Sequence, residues 1–391
     1  MKILAAADAF SPLELSGTMR HFLGVASALV GRGHSVDAVL PCPDDAYFLE
    51  RNFPGIGFEY YNVSTKSLVT KALSTFKESR FMFRQLCSAG DYNLVYFNQP
   101  LTSAGPITAK KVRSVPSMYV FHSPWALEYR IKTGAGGIQS GMRHAMEKRA
   151  LKSVDMVVVL SEFMKGQLLS EHPWLNEDKI FVIPGGVDAD RFKPIMSVGE
   201  AREKTGLPGD RIVLFTARGL KPRTGVDILI DAMPDVLARH SDVVLSIAGS
   251  GPLKDSLKGK VNALGLNEHI RFEGFVDEPL LPVYYQAADI FLLPTRALEG
   301  FGLVITEALS CGTPVIGTPV GAIPEVLNPL DPGLIAAEIS PAALSERINY
   351  WLDNRKRLEE VRSKCRDYVL ERYTWDRVVG DYEDMFSKMK L

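Results

Sequence analysis

With 391 residues, 46% of them apolar and 23% charged, the chain has room for two domains with sizeable cores, which excludes a disordered or low-complexity protein. A formal charge of −1 argues against a protein built to wrap nucleic acid, and no apolar run approaches the ~20 residues of a membrane helix. Four cysteines (Cys42, Cys87, Cys311, Cys365) lie far apart with no CxxC pair or histidine at zinc spacing, which predicts a reduced, cytoplasmic protein.

Met1 to Ala7 is interrupted by Asp8 and Pro12 before a signal-peptide apolar region accumulates, so Ile3 to Ala7 reads as a buried first strand. Ser16-Gly17-Thr18 is a turn, and Met19 to Gly31 carries apolar residues at helical spacing. Strands follow at Ser35 to Leu40, Leu94 to Phe97, Ser117 to His122, Met156 to Leu160 and Lys179 to Ile183, with helices between several of them. This alternation predicts a parallel sheet covered on both faces. The stretch Asp188 to Asp210, with its Pro, Gly and charges, reads as a linker. The pattern then restarts: strands at Arg211 to Thr216, Val243 to Ala248, Ile270 to Glu273, Ile290 to Leu293 and Pro314 to Thr318 alternate with four helices, the last of them Leu303 to Ser310. From Pro341 onward the chain is helical and highly charged. The reading is α/β, with two successive doubly wound units expected to face each other across a ligand-binding cleft.

Charge is unevenly spread: residues 1–63 net −3, residues 64–152 net +10, and residues 153–391 net −8. Within the basic zone, Leu68 to Leu86 alternates Lys71, Lys77, Arg80 and Arg84 with apolar residues, a pattern suited to resting on anionic lipid or to an ordinary surface helix.

A GxGxxG fingerprint after the first strand and a GxxxxGK[ST] loop are both absent, which argues against dehydrogenase and P-loop ATPase readings. The strongest local signal is Pro294 to Ala308, where a strand ends in a glycine-rich loop that opens a helix. It carries Glu299 in the loop and Glu307 in the helix, with Gly300 and Gly302 allowing close backbone approach. Two such carboxylates can accept hydrogen bonds from a polyhydroxylated ligand. Asp188-Ala189-Asp190 spells DxD but reads as a helix-starting turn, and no Asp/Glu/His cluster offers a metal site.

This segment resembles the E-x7-E signature of retaining family 4 glycosyltransferases, which have the two-domain GT-B fold. Ser16-Gly17-Thr18, Val159 to Phe163, Ile183 to Asp188, Arg218 to Asp227, Gly249 to Pro252, Gly317 to Glu325 and Tyr373-Thr374-Trp375 follow in the family's order. The resemblance implies an N-terminal acceptor-side domain at 1–192, a C-terminal nucleotide-sugar domain at 193–372, and a final helix, 373–391, crossing back to the first. It implies a hexosyltransferase that moves sugar from a nucleotide diphosphate sugar to a glycan, lipid-linked or small-molecule acceptor, in cell-envelope polysaccharide or glycolipid synthesis. The missing metal cluster predicts action without metal or other cofactor, and the cysteine pattern with the basic helix predicts the cytoplasm or the inner face of the membrane. Glu299 and His122 are assigned to the sugars, Arg218 and Arg223 to the diphosphate, and Glu307 to the ribose. Gly17, Thr18, Gly249, Phe301, Gly302, Leu303 and Val304 are assigned to the donor. The sequence departs from the family pattern at Arg223, where Lys-Gly is usual and Arg223-Thr224-Gly225 stands, so Lys221 competes for the diphosphate. It departs again at Gly185, where Asn is common. A GT-B epimerase acting on the nucleotide sugar alone and a catalytically silent nucleotide-sugar-binding subunit are the alternatives.

Overall fold

The computed structural model describes residues 1–7, 16–43, 46–64 and 66–389, so Asp8 and Pro12 of the opening segment lie outside the described residues. The chain forms two compact units, residues 1–186 with 375–391, and residues 187–374. The divisions fall at Gly186/Val187 and Thr374/Trp375, a few residues from the expected 192/193 and 372/373.

Unit 1 carries β1 (Lys2–Ala6), β2 (Ser35–Pro41), β3 (Ile56–Tyr61), β4 (Leu94–Phe97), β5 (Ser117–Phe121), β6 (Met156–Val159) and β7 (Ile180–Val182). They form one sheet in the order β3-β2-β1-β4-β5-β6-β7. Every pairing is parallel, with Ile3 opposite Val36 on one side of β1 and opposite Leu94 on the other. Strands β4, β5 and β6 are buried along their whole length, as continuous apolar runs under helices on both faces should be. The edge strand β3 escapes the sequence reading because Gly57 and Glu59 interrupt its apolar pattern.

Order reverses between β1 and β4: the chain leaves β1 to one side for β2 and β3, then returns to build β4 to β7 on the other. A crevice opens outside the carboxyl ends of two such strands, and residues placed there are free to meet a ligand.

Unit 2 repeats the plan with β8 (Ile212–Ala217), β9 (Val243–Ala248), β10 (Ile270–Gly274), β11 (Ile290–Leu293) and β12 (Val315–Gly317), in the order β10-β9-β8-β11-β12, all parallel. Its reversal lies between β8 and β11. The loops that begin at Arg218 and at Pro294 leave those two strands at the same end.

The stretch expected to be a linker is instead part of unit 2. Ser197 caps a helix over Val198–Thr205, with the Ser197 Oγ accepting from Glu200 N at 3.3 Å and the Glu200 carboxylate accepting from Ser197 N at 2.8 Å. Buried Arg202 then pins this helix by donating to Ala287 O (3.0 Å), Gly209 O (3.1 Å) and the Asp289 carboxylate (2.7 Å).

The Asp188-Ala189-Asp190 stretch is a turn, though no helix starts from it. Asp188 Oδ1 accepts from Asp190 N (3.1 Å) and Arg191 N (3.0 Å), and the next helix begins only at Val198. Arg366 ties the turn into the unit by donating to Ala189 O and Phe192 O.

The last helix, Trp375–Ser387, belongs to unit 1 and packs on the helix Gly17–Gly31. Glycines make this possible. A Cβ on Gly24 would lie 2.1 Å from the Trp375 ring, and one on Gly186 2.5 Å from it, so the indole occupies a slot that only glycine on both sides leaves open. Arg32 adds polar anchors, donating to Asp376 Oδ1 (2.9 Å) and Glu383 Oε2 (2.6 Å), while His34 meets Glu383 Oε1 at 2.9 Å.

Candidate functional site

In unit 2, the loops after β8 and β11 interlock through backbone contacts that demand glycine. A Cβ on Gly225, at φ +70°, would lie 1.8 Å from Pro294 O, and one on Gly321, at φ +62°, would lie 2.2 Å from Glu299 O. Ala322 N donates to Glu299 O at 2.9 Å, and Arg296 N donates to Arg223 O at 2.8 Å. The backbone carrying Glu299 is thus held from both neighbouring strands before its side chain is considered.

That side chain meets Arg218, the first residue past β8. Arg218 Nη2 donates to Glu299 Oε2 at 2.7 Å and to Thr295 Oγ1 at 3.2 Å, and Thr295 Oγ1 donates to the same carboxylate oxygen at 3.0 Å. Burial would raise the Glu299 pKa, but the Arg218 and Arg223 charges, with hydrogen bonds from Arg218 and Thr295, hold it below the ordinary carboxylate value. Arg218 Nε is buried and has no hydrogen-bond partner among the described residues. A buried guanidinium N–H without a partner is uncommon in a native fold and carries a desolvation cost that a bound acceptor would relieve.

Arg223 points elsewhere. Its Nη1 donates to Leu298 O at 3.3 Å. Leu298 is the one non-glycine residue with positive φ (53°) among the described residues, a conformation unfavourable for leucine, so Arg223 helps to hold a strained residue directly before Glu299. Lys221 is exposed, whereas Thr224 is buried with its hydroxyl donating to Gly219 O and Lys221 O, both at 2.8 Å.

Gly249 supports the Arg218 loop. Its N–H donates to Gly274 O at 2.6 Å, and a Cβ there would lie 1.9 Å from Arg218 O. Gly302, at φ +84°, precedes the helix Leu303–Ser310, and the amides of Leu303 and Val304 in its first turn have no intrahelical acceptor. Phe301 is buried and packs edge-on against Tyr373.

Glu307 sits one turn into the same helix, buried, and its Oε2 accepts from Tyr285 OH at 2.9 Å. Arg218, Thr295 and Glu299 are therefore joined in one hydrogen-bonded network that feels the Arg223 charge, while Glu307 is tied to Tyr285. Thr295 and Tyr285 escape the sequence reading. Thr295 lies inside the motif, but only the fold shows its hydroxyl aimed at Glu299, and Tyr285 lies 22 positions before its partner.

In unit 1, Ser16 caps the helix Gly17–Gly31 by accepting from Met19 N at 3.2 Å. Gly17 and Thr18 form its first turn, and Gly17 is exposed with open space where a Cβ would stand. His122 follows β5 directly. Its Nε2 lies 2.8 Å from Oδ1 of Asn98, the residue after β4. The His21 ring stands 5.2 Å away at 80°, with Trp375 5.6 Å from His21 in turn. Desolvation lowers the His122 pKa to about 4, so the ring is neutral at neutral pH. Asn98 and His21 are also absent from the sequence reading. The signal for Asn98 was a polar residue immediately past a buried strand, but its partner lies 24 positions on.

The basic zone is partly inverted. On the helix Leu68–Ala89, Thr75 and Ser79 are buried, whereas Val69, Leu73 and Phe81 are 68%, 65% and 60% exposed among Lys71, Lys77, Arg80 and Arg84. Ile138 (84% exposed) and Met142 form a second exposed apolar pair on the helix Ile138–Ser153. No helix among the described residues is long and apolar enough to cross a membrane.

Residues 15–191 match the model of Glycosyltransferase Family 4, and residues 197–369 match that of Glycosyl transferases group 1. D-inositol 3-phosphate glycosyltransferase 1 of Catenulispora acidiphila is 30% identical over 72% of this chain and 69% of its own. The chain belongs to glycosyltransferase family 4. This family 4 glycosyltransferase is also similar to the phosphatidyl-myo-inositol mannosyltransferase of Mycobacterium tuberculosis, at 27% identity over 93% of this chain and 91% of that one. In fold it resembles Anabaena HepE, solved in complex with UDP and glucose, with a TM-score of 0.81 at 20% identity and 100% of each chain covered. The fold of this glycosyltransferase is GT-B.

Proposed function

We propose that this glycosyltransferase moves a hexose-type sugar, with retention of anomeric configuration, from a nucleotide diphosphate sugar to a glycan, lipid-linked or small-molecule acceptor of the cell envelope. The observation that carries the reading is the Arg218–Thr295–Glu299 network with its open, buried Arg218 Nε. The UDP and glucose bound by HepE support a nucleotide-sugar donor, the phosphatidyl-myo-inositol named for one relative supports a lipid acceptor of the envelope, and the D-inositol 3-phosphate named for the other supports a small-molecule acceptor.

Cleavage of the bond from sugar C1 to phosphate leaves an oxocarbenium-like sugar and a diphosphate carrying extra negative charge. Arg218 spends Nη2 on Glu299 and Thr295 and keeps Nε for that diphosphate, so one guanidinium both fixes Glu299 and meets the leaving group. Arg223 and the amides of Leu303 and Val304 add positive potential. Glu299 stays ionised beside the sugar, and Glu307 accepts from the ribose hydroxyls. The acceptor attacks from the leaving-group face, and the departing phosphate takes its proton, with no side-chain nucleophile and no metal.

The test is a product assay over a nucleotide-sugar panel with excess EDTA. Expected is transfer with the anomeric configuration kept and no loss to chelator. Conversion of donor alone to a changed sugar would make the chain an epimerase, and nucleotide binding without turnover would make it a silent subunit.

The exposed apolar residues among the cations of Leu68–Ala89 support delivery of a lipid acceptor from an anionic surface. Lys71→Glu with Lys77→Glu should weaken co-sedimentation with anionic vesicles, on the order of 1 kcal/mol for each lysine, and leave donor binding unchanged. Absence of vesicle binding at low salt, with efficient transfer to a small acceptor, would assign a soluble substrate.

A further inference from the structure

His122 is held by a neighbour whose chemistry fixes where its proton sits. Its Nε2 lies 2.8 Å from Oδ1 of Asn98, which is 1% exposed. An amide oxygen accepts only, so the nitrogen facing it must be the one that carries hydrogen. In a neutral imidazole the other nitrogen, Nδ1, is then a lone-pair acceptor. Asn98 Nδ2 is buried and has no acceptor among the described residues, so Oδ1 is the amide atom through which Asn98 meets the ring. Sequence distance gives this tie no local support. It exists because β4 and β5 are adjacent parallel strands, with Phe97 opposite Tyr119, which brings the two strand-end residues together.

The other side of the ring is closed by His21, 5.2 Å away at 80°. Both nitrogens of His21 are buried and make no hydrogen bond among the described residues, so His21 does not compete for either nitrogen of His122. It is backed by Trp375 in the Gly24–Gly186 slot, which stops it from swinging away. His122 itself is half-buried, and its Nδ1 has no partner among the described residues.

We propose that Asn98 is a positioning residue that locks His122 in the Nε2–H tautomer, so that Nδ1 accepts a hydrogen bond from a sugar hydroxyl. A ring in this state offers no N–H to a phosphate oxygen on that side, which separates its ligand chemistry from that of Arg218. The assignment of a sugar as the partner rests on the function proposed above, whereas the tautomer does not.

The test is long-range ¹H–¹⁵N correlation of the imidazole nitrogens in the ¹⁵N-labelled full chain at neutral pH, with His122→Gln identifying the His122 signals. Expected is a protonated Nε2 and an unprotonated Nδ1. A protonated Nδ1, or a ring averaging between the two forms, would overturn the proposal whether or not transfer is ever observed. Asn98→Leu should disturb the Nε2–H signal and lower kcat about tenfold or more, with the donor KM little changed. Asn98→Asp retains an acceptor oxygen and should keep the wild-type tautomer. Loss of transfer in Asn98→Leu with the His122 signals unmoved would make Asn98 a structural residue only. Should no nucleotide sugar be turned over by the wild type, the functional reading fails and the spectrum still decides the tautomer.

Discussion

The candidate sites of the two units occupy comparable places, the carboxyl ends of parallel strands at or next to a reversal of order, yet they are made of opposite materials. Unit 2 gathers full charges, Arg218, Glu299 and Arg223, and pins them with backbone contacts that only Gly225 and Gly321 permit. Unit 1 gathers neutral groups, His122, His21 and Asn98, in surroundings that oppose charge. A leaving diphosphate needs cations already in place, because reorganising them during the reaction would forfeit much of their effect. A hydroxyl needs only a donor or acceptor in a fixed direction, and a neutral ring held by an amide supplies that without attracting competing anions.

The contrast is broken most sharply by removing the charge that unit 2 depends on. Arg218→Ala should reduce transfer by about 10²- to 10³-fold and leave Glu299 without its principal counter-charge, while unit 1 is untouched. Steady-state kinetics with a thermal melt will show this, and near-wild-type kcat in a folded variant would remove Arg218 from the mechanism. Next in size is Gly24→Ala, whose new methyl falls within the Trp375 ring. A loss of ~1–3 kcal/mol in denaturant unfolding is expected, confined to the transition of unit 1 where two transitions are seen. Glu307→Ala should weaken donor binding by about 1.5–3 kcal/mol in calorimetry, since a charged acceptor is removed; an unchanged dissociation constant in a folded protein would falsify the ribose assignment.

The smallest effect sharpens the neutral side. His21 is held well below its ordinary pKa by burial and by His122, and His122 is lowered to about 4 by burial. The unfolded chain therefore binds protons that the folded one refuses, so stability is complete above about pH 6.5 and falls as pH drops toward 4, by at most about 1.4 kcal/mol per pH unit for each ring. His21→Phe should flatten this dependence in a melting series between neutral pH and pH 5, and an unaltered slope would show that the ring is not the group refusing the proton.

Much of this was legible from residue patterns. Strands such as Val243–Ala248 and Ile290–Leu293 are continuous apolar runs bounded by turn residues, and the Pro294–Ala308 block announces a loop opening a helix. The helix Val198–Thr205 was read as linker: the Ser197 to Glu200 spacing and the closing Gly206 mark it, but its charged and proline-bearing flanks disguised it. Other features have no local trace. Asn98 meets His122, and Tyr285 meets Glu307, only because parallel strands and packed helices bring distant positions together. The offset at Arg223 was visible as an anomaly, yet its destination, Leu298 O, depends on a left-handed leucine that no spacing rule anticipates.

Trp375 has a consequence for biosynthesis. The slot between Gly24 and Gly186 emerges from the ribosome before unit 2, while the indole that fills it follows the 188 residues of 187–374. At ~5–20 residues per second, roughly 10 to 40 s of translation separate the slot from its plug. Through that interval the helix Gly17–Gly31 lacks the indole that covers Gly24 and backs His21. Nascent chains arrested before residue 375 should accordingly be held by chaperones or cut by proteases at this helix, and emergence of residues 375–391 should end that susceptibility.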